Sequence, residues 1–157
     1  MKILAIDQAT HISGFSVWEN DLLMDYGHFE AKKKDTIDRM IEVSDWAEGL
    51  IKKYKPDSVV IEAVQYQQNQ KVYSTLSQLQ GVLFYLFHKV GINFNIVEPS
   101  VWKSHSGIKL RSKRKEQKQQ SIDIVTVAYG VVPTDDEADA ILMGKYGCSI
   151  MNKESKE

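Results

Sequence analysis

Two short apolar runs, each ended by an acidic residue, most restrict the folds open to this chain. The first is "KILAID" at residues 2–7, and the second is "SVVIE" at residues 58–62. Apolar runs of this length are typical of strands that are buried on both faces, which requires helices above and below the sheet. A carboxylate that follows such a strand is rarely free, so we expect Asp7 and Glu62 to be paired, hydrated or bound to a metal ion.

The pattern around these runs predicts an α/β fold with a mixed five-stranded sheet flanked by helices. "GFSVWEN" and "LLMDYGHFEAK" follow the first run after short turns, which indicates a three-stranded antiparallel meander. "SVVIE" and "INFNIVEP" add two parallel strands. Four helices are predicted, over residues 35–53, 71–90, about 114–129 and about 134–147.

The length of the chain favours one domain. With 157 residues it is long enough to bury a sizeable core. We predict a single domain over residues 1–147, followed by a polar C-terminal tail over residues 148–157.

A second group of acids lies near the C-terminus in the stretch "PTDDEADAI". Thr134, with Glu137 three residues later, forms a capping box, which predicts that a helix begins here. Asp136 and Asp139 are three residues apart, so they share a helical face, and the neighbouring apolar residues indicate that this face points inward. Two carboxylates on an inward face repel each other unless a cation lies between them.

The four acids predict a metal site when they are taken together. Parallel strands that end side by side would bring Asp7 and Glu62 to one edge of the sheet. With Asp136 and Asp139 they supply hard oxygen ligands without a cysteine or a histidine pair, which suits Mg²⁺ or Mn²⁺ rather than zinc. Such a cluster can hold two ions that stabilise a phosphoryl displacement. Asp135 is assigned to the helix dipole, although the choice of ligand between Asp135 and Asp136 stays open.

Positive charge is concentrated in residues 103–118, called here the basic segment. It has seven basic residues and one acidic residue, Glu116, in a chain with a net charge of −1. A basic segment on an acidic body favours a polyanion as partner, with a solvated lysine-rich loop as the alternative. Beside a metal site, it predicts a metal-dependent nuclease. Its basic residues are Lys103, Lys109, Arg111, Lys113, Arg114, Lys115 and Lys118.

Other features of the composition narrow the class of protein. No apolar run approaches the length of a membrane span, and Asp7 interrupts the N-terminal run before a signal-peptide core could form. We therefore expect no membrane association. The single cysteine, Cys148, excludes an internal disulfide and fits a reducing cytoplasm, either of a bacterial cell or of a phage-infected host.

The chain resembles the RuvC-type Holliday junction resolvases, which have the RNase H-like fold. "ILAIDQATHISGFSVW", "VVIEAVQ" and "DEADAI" are similar to the three acidic motifs of the family, and "LSQLQGVL" to its helix after the second acid. The resemblance extends over residues 2–147. It implies an endonuclease of DNA recombination and repair, acting as a homodimer that nicks opposed strands of four-way junctions and other branched DNA. Whether the chain is a compact phage-type member or a cellular one stays open.

The resemblance also implies roles for particular residues. Four acids of the family hold two Mg²⁺ ions, for which Mn²⁺ is a substitute. Family lysines before the last acidic motif match Lys103 and Lys118, and Lys118 would stabilise the charge that develops on the scissile phosphate. Simple contact with the DNA backbone is the alternative for either lysine. The metal ligands would be Asp7, Glu62, Asp136 and Asp139.

Two departures from the family pattern stand out. The first acid is followed by "QAT" instead of a turn rich in proline and glycine. The aromatic wedge of the family falls on Gln65, and the aromatic residue, Tyr66, comes one position later. Tyr66 can still stack on a base at a junction centre, because stacking needs only a ring face. The basic segment would then supply affinity for the DNA backbone that is independent of junction structure.

The second predicted helix is apolar on more than one face. Leu76, Leu83 and Phe87 occupy one side, but Phe84 and Tyr85 follow on another. A helix of this kind needs a second partner. We expect a dimer interface, with a fully buried central helix as the alternative.

Other functions share parts of this pattern. A less selective branched-DNA nuclease, or an RNase H-type nuclease acting on RNA–DNA hybrids, keeps the chemistry and changes the substrate. A sugar-kinase or actin-like ATPase also opens on a strand and an acid, but it needs glycine-rich phosphate loops, which "DQATH" lacks. A binding module with an inactive site is a further alternative, against which the presence of all four acids argues.

Overall fold

The fold is an α/β arrangement of five strands and five helices in the computed structural model, which describes residues 1–154. The strands are β1 (Lys2–Asp7), β2 (Ile12–Glu19), β3 (Leu22–Glu30), β4 (Ser58–Glu62) and β5 (Asn93–Val97). The helices are α1 (Thr36–Tyr54), α2 (Gln70–Val90), α3 (Pro99–Ser106), α4 (Arg114–Tyr129) and α5 (Asp135–Glu154).

The sheet has the strand order β3-β2-β1-β4-β5, which confirms the predicted mixed sheet. β1 pairs antiparallel with β2 and parallel with β4, and β4 pairs parallel with β5. The last main-chain pair between β1 and β4 joins Ile6 and Ile61. The residues that follow, Asp7 and Glu62, therefore leave the sheet at the same edge.

Both faces of the central strands are buried. Leu4 and Ile6 of β1 pack into a core with α1 and α2, whereas Ile3 and Ala5 pack into a second core with α3, α4 and α5. Successive strand residues point to opposite faces, so a run of apolar residues serves both cores at once. The continuous hydrophobicity of "KILAI" thus reflects helices on each side of the sheet.

Helix α1 begins and ends where the sequence predicts. The Asp35 carboxylate accepts hydrogen bonds from the backbone N–H groups of Ile37 and Asp38, at 3.0 and 3.2 Å. Lys55 has the left-handed φ of 49° and closes the helix directly before Pro56. An N-cap carboxylate and a proline after the C-terminus are common helix signals.

Two parts of the structure differ from the sequence prediction. Helix α3 was not predicted, because it has eight residues and buries one large side chain, Trp102. The predicted polar tail is wrong over residues 148–154, because α5 continues to Glu154 and buries Cys148 and Met151 against the sheet. The remainder of that predicted tail, residues 155–157, lies outside the described residues.

Across residues 1–154, none of the helices combines the length and the hydrophobicity that a membrane span requires.

Candidate active site

A cleft of about 210 Å³ opens at the edge of the sheet where β1 and β4 end. Two of the predicted acids reach it from the strands, and two reach it from the first turns of α5. Cationic side chains from α3 and α4 line the same cleft. The carboxylates that line the cleft are Asp7, Glu62, Asp136 and Asp139.

The two strand-end acids are held by different neighbours. Asp7 is paired with Gly14 across the β1–β2 ladder, and Glu62 is paired with Val97 across the β4–β5 ladder. Main-chain pairing between β1 and β4 has already ended at this level. The side chain of Gln8 takes over: its Nε2 donates to Glu62 O at 2.6 Å, and Glu62 N donates to its Oε1 at 3.2 Å.

The carboxylate of Glu62 has its own partner on α3. The indole Nε1 of Trp102 donates a hydrogen bond of 2.6 Å to Glu62 Oε2. Trp102 is 1% exposed, so packing fixes the direction of this donor. The indole thereby restricts the rotation of Glu62 and leaves its other oxygen, Oε1, for a further ligand.

Helix α5 begins with the predicted capping box. Thr134 N donates to Glu137 Oε1 at 2.8 Å, and Glu137 N donates to Thr134 Oγ1 at 3.3 Å. The Glu137 carboxylate also lies 3.3 Å from Nδ1 of His28 on β3. Glu137 is therefore used by the helix start and does not line the cleft.

The structure separates Asp135 from Asp136. Asp136 lines the cleft, whereas Asp135 forms an ion pair of 2.5 Å with Lys118 of α4. The hydrogen bond from Lys118 lowers the pKa of Asp135. Burial would lower the pKa of Lys118, but the hydrogen bond and charge of Asp135 and the other carboxylates raise it, so Lys118 stays charged. This geometry supports Asp136 as the ligand.

The first turn of α5 packs directly on a glycine of β2. A Cβ placed on Gly14 would lie 2.2 Å from Asp136 O and 2.6 Å from Asp136 C, which is far inside van der Waals contact. Further along α5, Ser16 Oγ donates to Ala140 O at 2.7 Å. The helix thus approaches β2 closely because Gly14 has no side chain, and this approach brings Asp136 and Asp139 to the strand-end acids.

Burial, and then the charge of neighbouring acids, raises the pKa of the carboxylates in the cleft. Burial first, and then the charge of Glu62, raises the pKa of Asp7 well above its ordinary value. Burial also raises the pKa of Glu62, although the Trp102 hydrogen bond opposes the shift. For Asp139, burial raises the pKa to about 6. Without a cation, these raised pKa values mean that the carboxylates hold their protons more tightly than free acids do. A cation placed between them stabilises their charged form.

The donor chemistry of the cleft fits a divalent ion. Within residues 1–154, no group of three or more Asp, Glu, His or Cys side chains is arranged to hold a metal ion as it stands. The all-oxygen donor set of the acids that line the cleft suits Mg²⁺. The assignment of these acids as metal ligands stays a prediction that this chemistry supports.

The basic segment is divided by the structure. Lys103, Arg114 and Lys118 line the cleft together with the acids. Lys103 Nζ is 3.3 Å from Gln117 Oε1 and lies 5.6 Å from the centre of the Trp102 ring. The other predicted DNA-binding residues are exposed but do not line the cleft; they are Lys109, Arg111, Lys113 and Lys115.

Tyr66 lies on the loop between β4 and α2. Its side chain is 75% exposed and its ring meets that of Tyr73 edge to face, with 5.6 Å between the ring centres. Its neighbour Gln65 donates a hydrogen bond to Glu98. An exposed ring beside the cleft is available for stacking, so its predicted role in DNA binding stays a prediction.

Sequence reasoning missed Gln8 and Trp102 as residues of the site. The unusual "QAT" after the first acid marked position 8 as different, but the sequence contains no sign that its amide reaches Glu62. Trp102 belongs to a helix that was not predicted, and tryptophan in an apolar context is most often a packing residue.

Comparisons with known proteins identify the family of the chain. The family model described as crossover junction endodeoxyribonuclease RuvC matches residues 3–144. Among curated relatives, the RuvC protein of Fusobacterium nucleatum is 30% identical over 149 residues, covering 90% of this chain and 76% of its own length. The RuvC protein of Synechocystis is 26% identical over 153 residues, covering 92% of this chain and 89% of its own.

Solved structures share the fold. The Thermus thermophilus RuvC structure in complex with a Holliday junction substrate has a TM-score of 0.78 at 12% identity, over 98% of this chain and 96% of that chain. The Fowlpox virus resolvase structure with Holliday junction DNA has a TM-score of 0.65 at 15% identity, over 96% and 99% of the two chains. The resemblance seen in the acidic motifs is confirmed, since the matched region spans nearly the whole chain: this protein belongs to the family of RuvC crossover junction endodeoxyribonucleases.

Proposed function

We propose that the chain is a Mg²⁺-dependent endonuclease that resolves Holliday junctions and nicks other branched DNA. The observation that carries the proposal is the cleft in which four carboxylates face three cationic side chains. Carboxylates of this number suit two divalent cations, and the cations suit a phosphodiester. Membership of the family supports a nuclease that depends on divalent metal ions and argues against the ATPase alternative.

Each group of residues has a separate task in the proposed mechanism. Divalent ions bound by the four carboxylates would supply an activated water and neutralise charge on the leaving oxygen. Lys118 holds a charged Nζ at the cleft wall, where it can stabilise the negative charge that grows on the scissile phosphate. Lys103 and Arg114 line the same wall and can hold the adjacent phosphates in place.

The surface outside the cleft supports a DNA substrate longer than the reacting nucleotide. The exposed part of the basic segment continues from the cleft along the loop before α4. Tyr66 is exposed on the neighbouring loop, in a position to stack on an unpaired base at a branch point. We include a cytoplasmic location in the proposal, because the single cysteine, Cys148, is free and buried.

A homodimer is also part of the proposal, and α2 is the element that supports it. The alternative of a fully buried helix is wrong, because Tyr85 is 69% exposed. Phe84 stacks on Phe94 of its own chain, with 5.3 Å between the ring centres, and packs against the core. The proposed interface is the exposed face of α2, and sedimentation equilibrium measures whether the chain forms a dimer. This face is formed by Ser74, Gln78, Gly81, Tyr85 and His88.

The proposed activity is tested by cleavage of a panel of synthetic substrates with Mg²⁺. We expect paired nicks in a four-way junction, weaker cutting of flaps and three-way junctions, and no cutting with a chelator. Asp139→Asn should lower the nicking rate by at least about 1,000-fold, because it removes a charge that the ions require, while junction binding persists. A wild-type nicking rate in this variant would contradict the site.

The same panel separates the substrate alternatives. Equal cutting of all branched substrates would replace junction resolution by a general branched-DNA nuclease. Preferential cutting of an RNA–DNA hybrid would favour an RNase H-type enzyme. The matched control is Asp123→Asn, which changes an exposed carboxylate on the outside of α4 that bonds to Gln119. This variant should nick like the wild type.

A further inference from the structure

Gln8 stands where the β1–β4 ladder has ended and the two strand-end acids begin. The main-chain register of the two strands runs from Ile3 with Ser58 to Ile6 with Ile61. Asp7 and Glu62 are the next residues, so they leave the last pair of the ladder and are not themselves a pair of it. A metal site that uses both carboxylates needs the distance between them to be constant.

The amide of Gln8 acts as a substitute for one more step of the ladder. It accepts from the backbone N–H of Glu62 at 3.2 Å and donates to its carbonyl oxygen at 2.6 Å. A backbone residue of a neighbouring strand also offers one donor and one acceptor. The side chain is 9% exposed, so these hydrogen bonds are shielded from competition by water.

The turn after Gln8 is closed by a second side chain. Ala9 N donates to Ser13 Oγ at 3.0 Å, and Ser13 Oγ donates to Ala9 O at 2.8 Å. Ser13 belongs to β2, the strand that also pairs with Asp7. The segment between Asp7 and Ser13 is thereby tied on one side to Glu62 and on the other to β2.

We propose that Gln8 is a positioning residue of the metal site, which sets the spacing between Asp7 and Glu62 through its paired hydrogen bonds to the Glu62 backbone. The inference rests on the proposed function, since it assigns Gln8 a task toward the divalent ions. This role accounts for the "QAT" that replaces a turn rich in proline and glycine, because the Gln8 amide sets the spacing between Asp7 and Glu62. Outer partners of metal ligands commonly contribute tenfold or more to metal affinity.

The test compares Mn²⁺ binding by calorimetry with thermal unfolding in the absence of metal. Gln8→Met keeps the length and burial of the side chain and removes both hydrogen bonds, and Gln8→Ala is a second variant. We expect Mn²⁺ to bind Gln8→Met about tenfold more weakly than wild type. The half-saturating Mg²⁺ concentration for nicking should rise in parallel, while junction binding measured in Ca²⁺ stays the same.

Ser58→Ala is the matched control. Ser58 Oγ donates to Asn93 O at 3.2 Å, so this side chain also bonds to the backbone of a neighbouring strand, but at the opposite ends of the strands and between residues that are already paired in the β4–β5 ladder. This variant should lose thermal stability and keep its Mn²⁺ affinity. Gln80→Ala, which removes one donor to Glu62 O but no link to β1, should have a smaller effect than Gln8→Met.

The outcomes separate this inference from the proposed function. Equal Mn²⁺ affinity in wild type and in both Gln8 variants overturns the positioning role, even if their melting temperatures fall, and leaves the nuclease intact. A wild type that binds no Mn²⁺ and nicks none of the branched substrates shows that the proposed function itself is wrong.

Discussion

The two halves of the acidic cluster are built by different forces. Asp7 and Glu62 end strands, and hydrogen bonds from the ladders and from Gln8 hold them. Asp136 and Asp139 begin a helix, and close packing of that helix on Gly14 positions them. The position of Asp7 and Glu62 should tolerate changes of side-chain volume nearby, because hydrogen bonds hold them. The position of Asp136 and Asp139 should not, because it depends on close packing. The two halves should therefore fail in different ways when they are perturbed.

Among changes outside the acids themselves, the largest effect is expected from Gly14→Ala. The new Cβ would meet the carbonyl of Asp136 at 2.2 Å, so the first turn of α5 must move away from β2. A misplacement of about 1 Å can lower a catalytic rate about 100-fold, and we expect a loss of this order in nicking. Junction binding should change little, because the cations on α3 and α4 stay in place. Single-turnover nicking and a gel-shift titration measure the two quantities.

Gly147→Ala is the control for the packed half. Its Cβ would lie 2.8 Å from Val60 Cγ2, two turns beyond the acids, where a side chain can adjust. This variant should unfold at a lower temperature but nick normally when folded. If both glycine variants lost activity equally, general stability and not the seating of the acids would explain the loss.

The next effect probes the hydrogen-bonded half. Trp102→Phe removes the indole donor to Glu62 Oε2 and keeps an aromatic ring in the core. Because that donor favours the charged carboxylate, its loss should raise the pKa of Glu62 further. We expect metal affinity to fall about tenfold, with maximal nicking restored at high Mg²⁺. Failure of high Mg²⁺ to restore nicking would indicate that Trp102 acts through packing instead.

The smallest effect is a dependence of stability on pH that both halves share. Burial raises the pKa of Asp139 from 3.8 in the unfolded chain to about 6, and it raises the pKa of Asp7 well above its ordinary value. The folded state therefore holds these protons more tightly. The stabilisation is complete below about pH 4 and is lost as the pH rises through about 6.

Thermal unfolding in a chelator should reveal this dependence as a melting temperature that falls between about pH 4 and about pH 7. Asp7→Asn and Asp139→Asn should each flatten the curve. Asp135→Asn should not, because the pKa of Asp135 is lowered and its contribution has the opposite sign. Mg²⁺ at neutral pH should recover the stability lost. A curve that is equally steep in all variants would contradict the shared burial of the acids.

The sequence predicts the strand-end half of the site better than the helix half. Asp7 and Glu62 could be placed at one edge because their runs are apolar throughout and end at the acid. The close packing of α5 on β2 could not be predicted. A glycine in a strand, such as Gly14, does not show which element packs against it. The contact between Gly14 and Asp136 joins residues that are far apart in the chain, and no local pattern reports such a contact.

Short elements and chain ends were the weakest part of the fold prediction. Helix α3 is too short for a clear periodicity, so its Trp102 hydrogen bond to Glu62 was not foreseen. The end of α5 carries small and polar residues, which are typical of a chain end and led to the predicted tail. In the structure, Gly147 lets the helix pack closely on β4, and Cys148 is buried. In both places the decisive information is tertiary packing.

The division of the acids between β1, β4 and α5 has a consequence for the synthesis of the protein. A nascent chain that has emerged from the ribosome only up to residue 134 contains Asp7 and Glu62 but neither acid of α5. It already carries the whole basic segment, so an early chain can meet nucleic acid without the means to cut it. With the four acids as proposed, cutting competence would arrive only with α5, so completion of the fold would coincide with the first moment at which the protein could damage DNA.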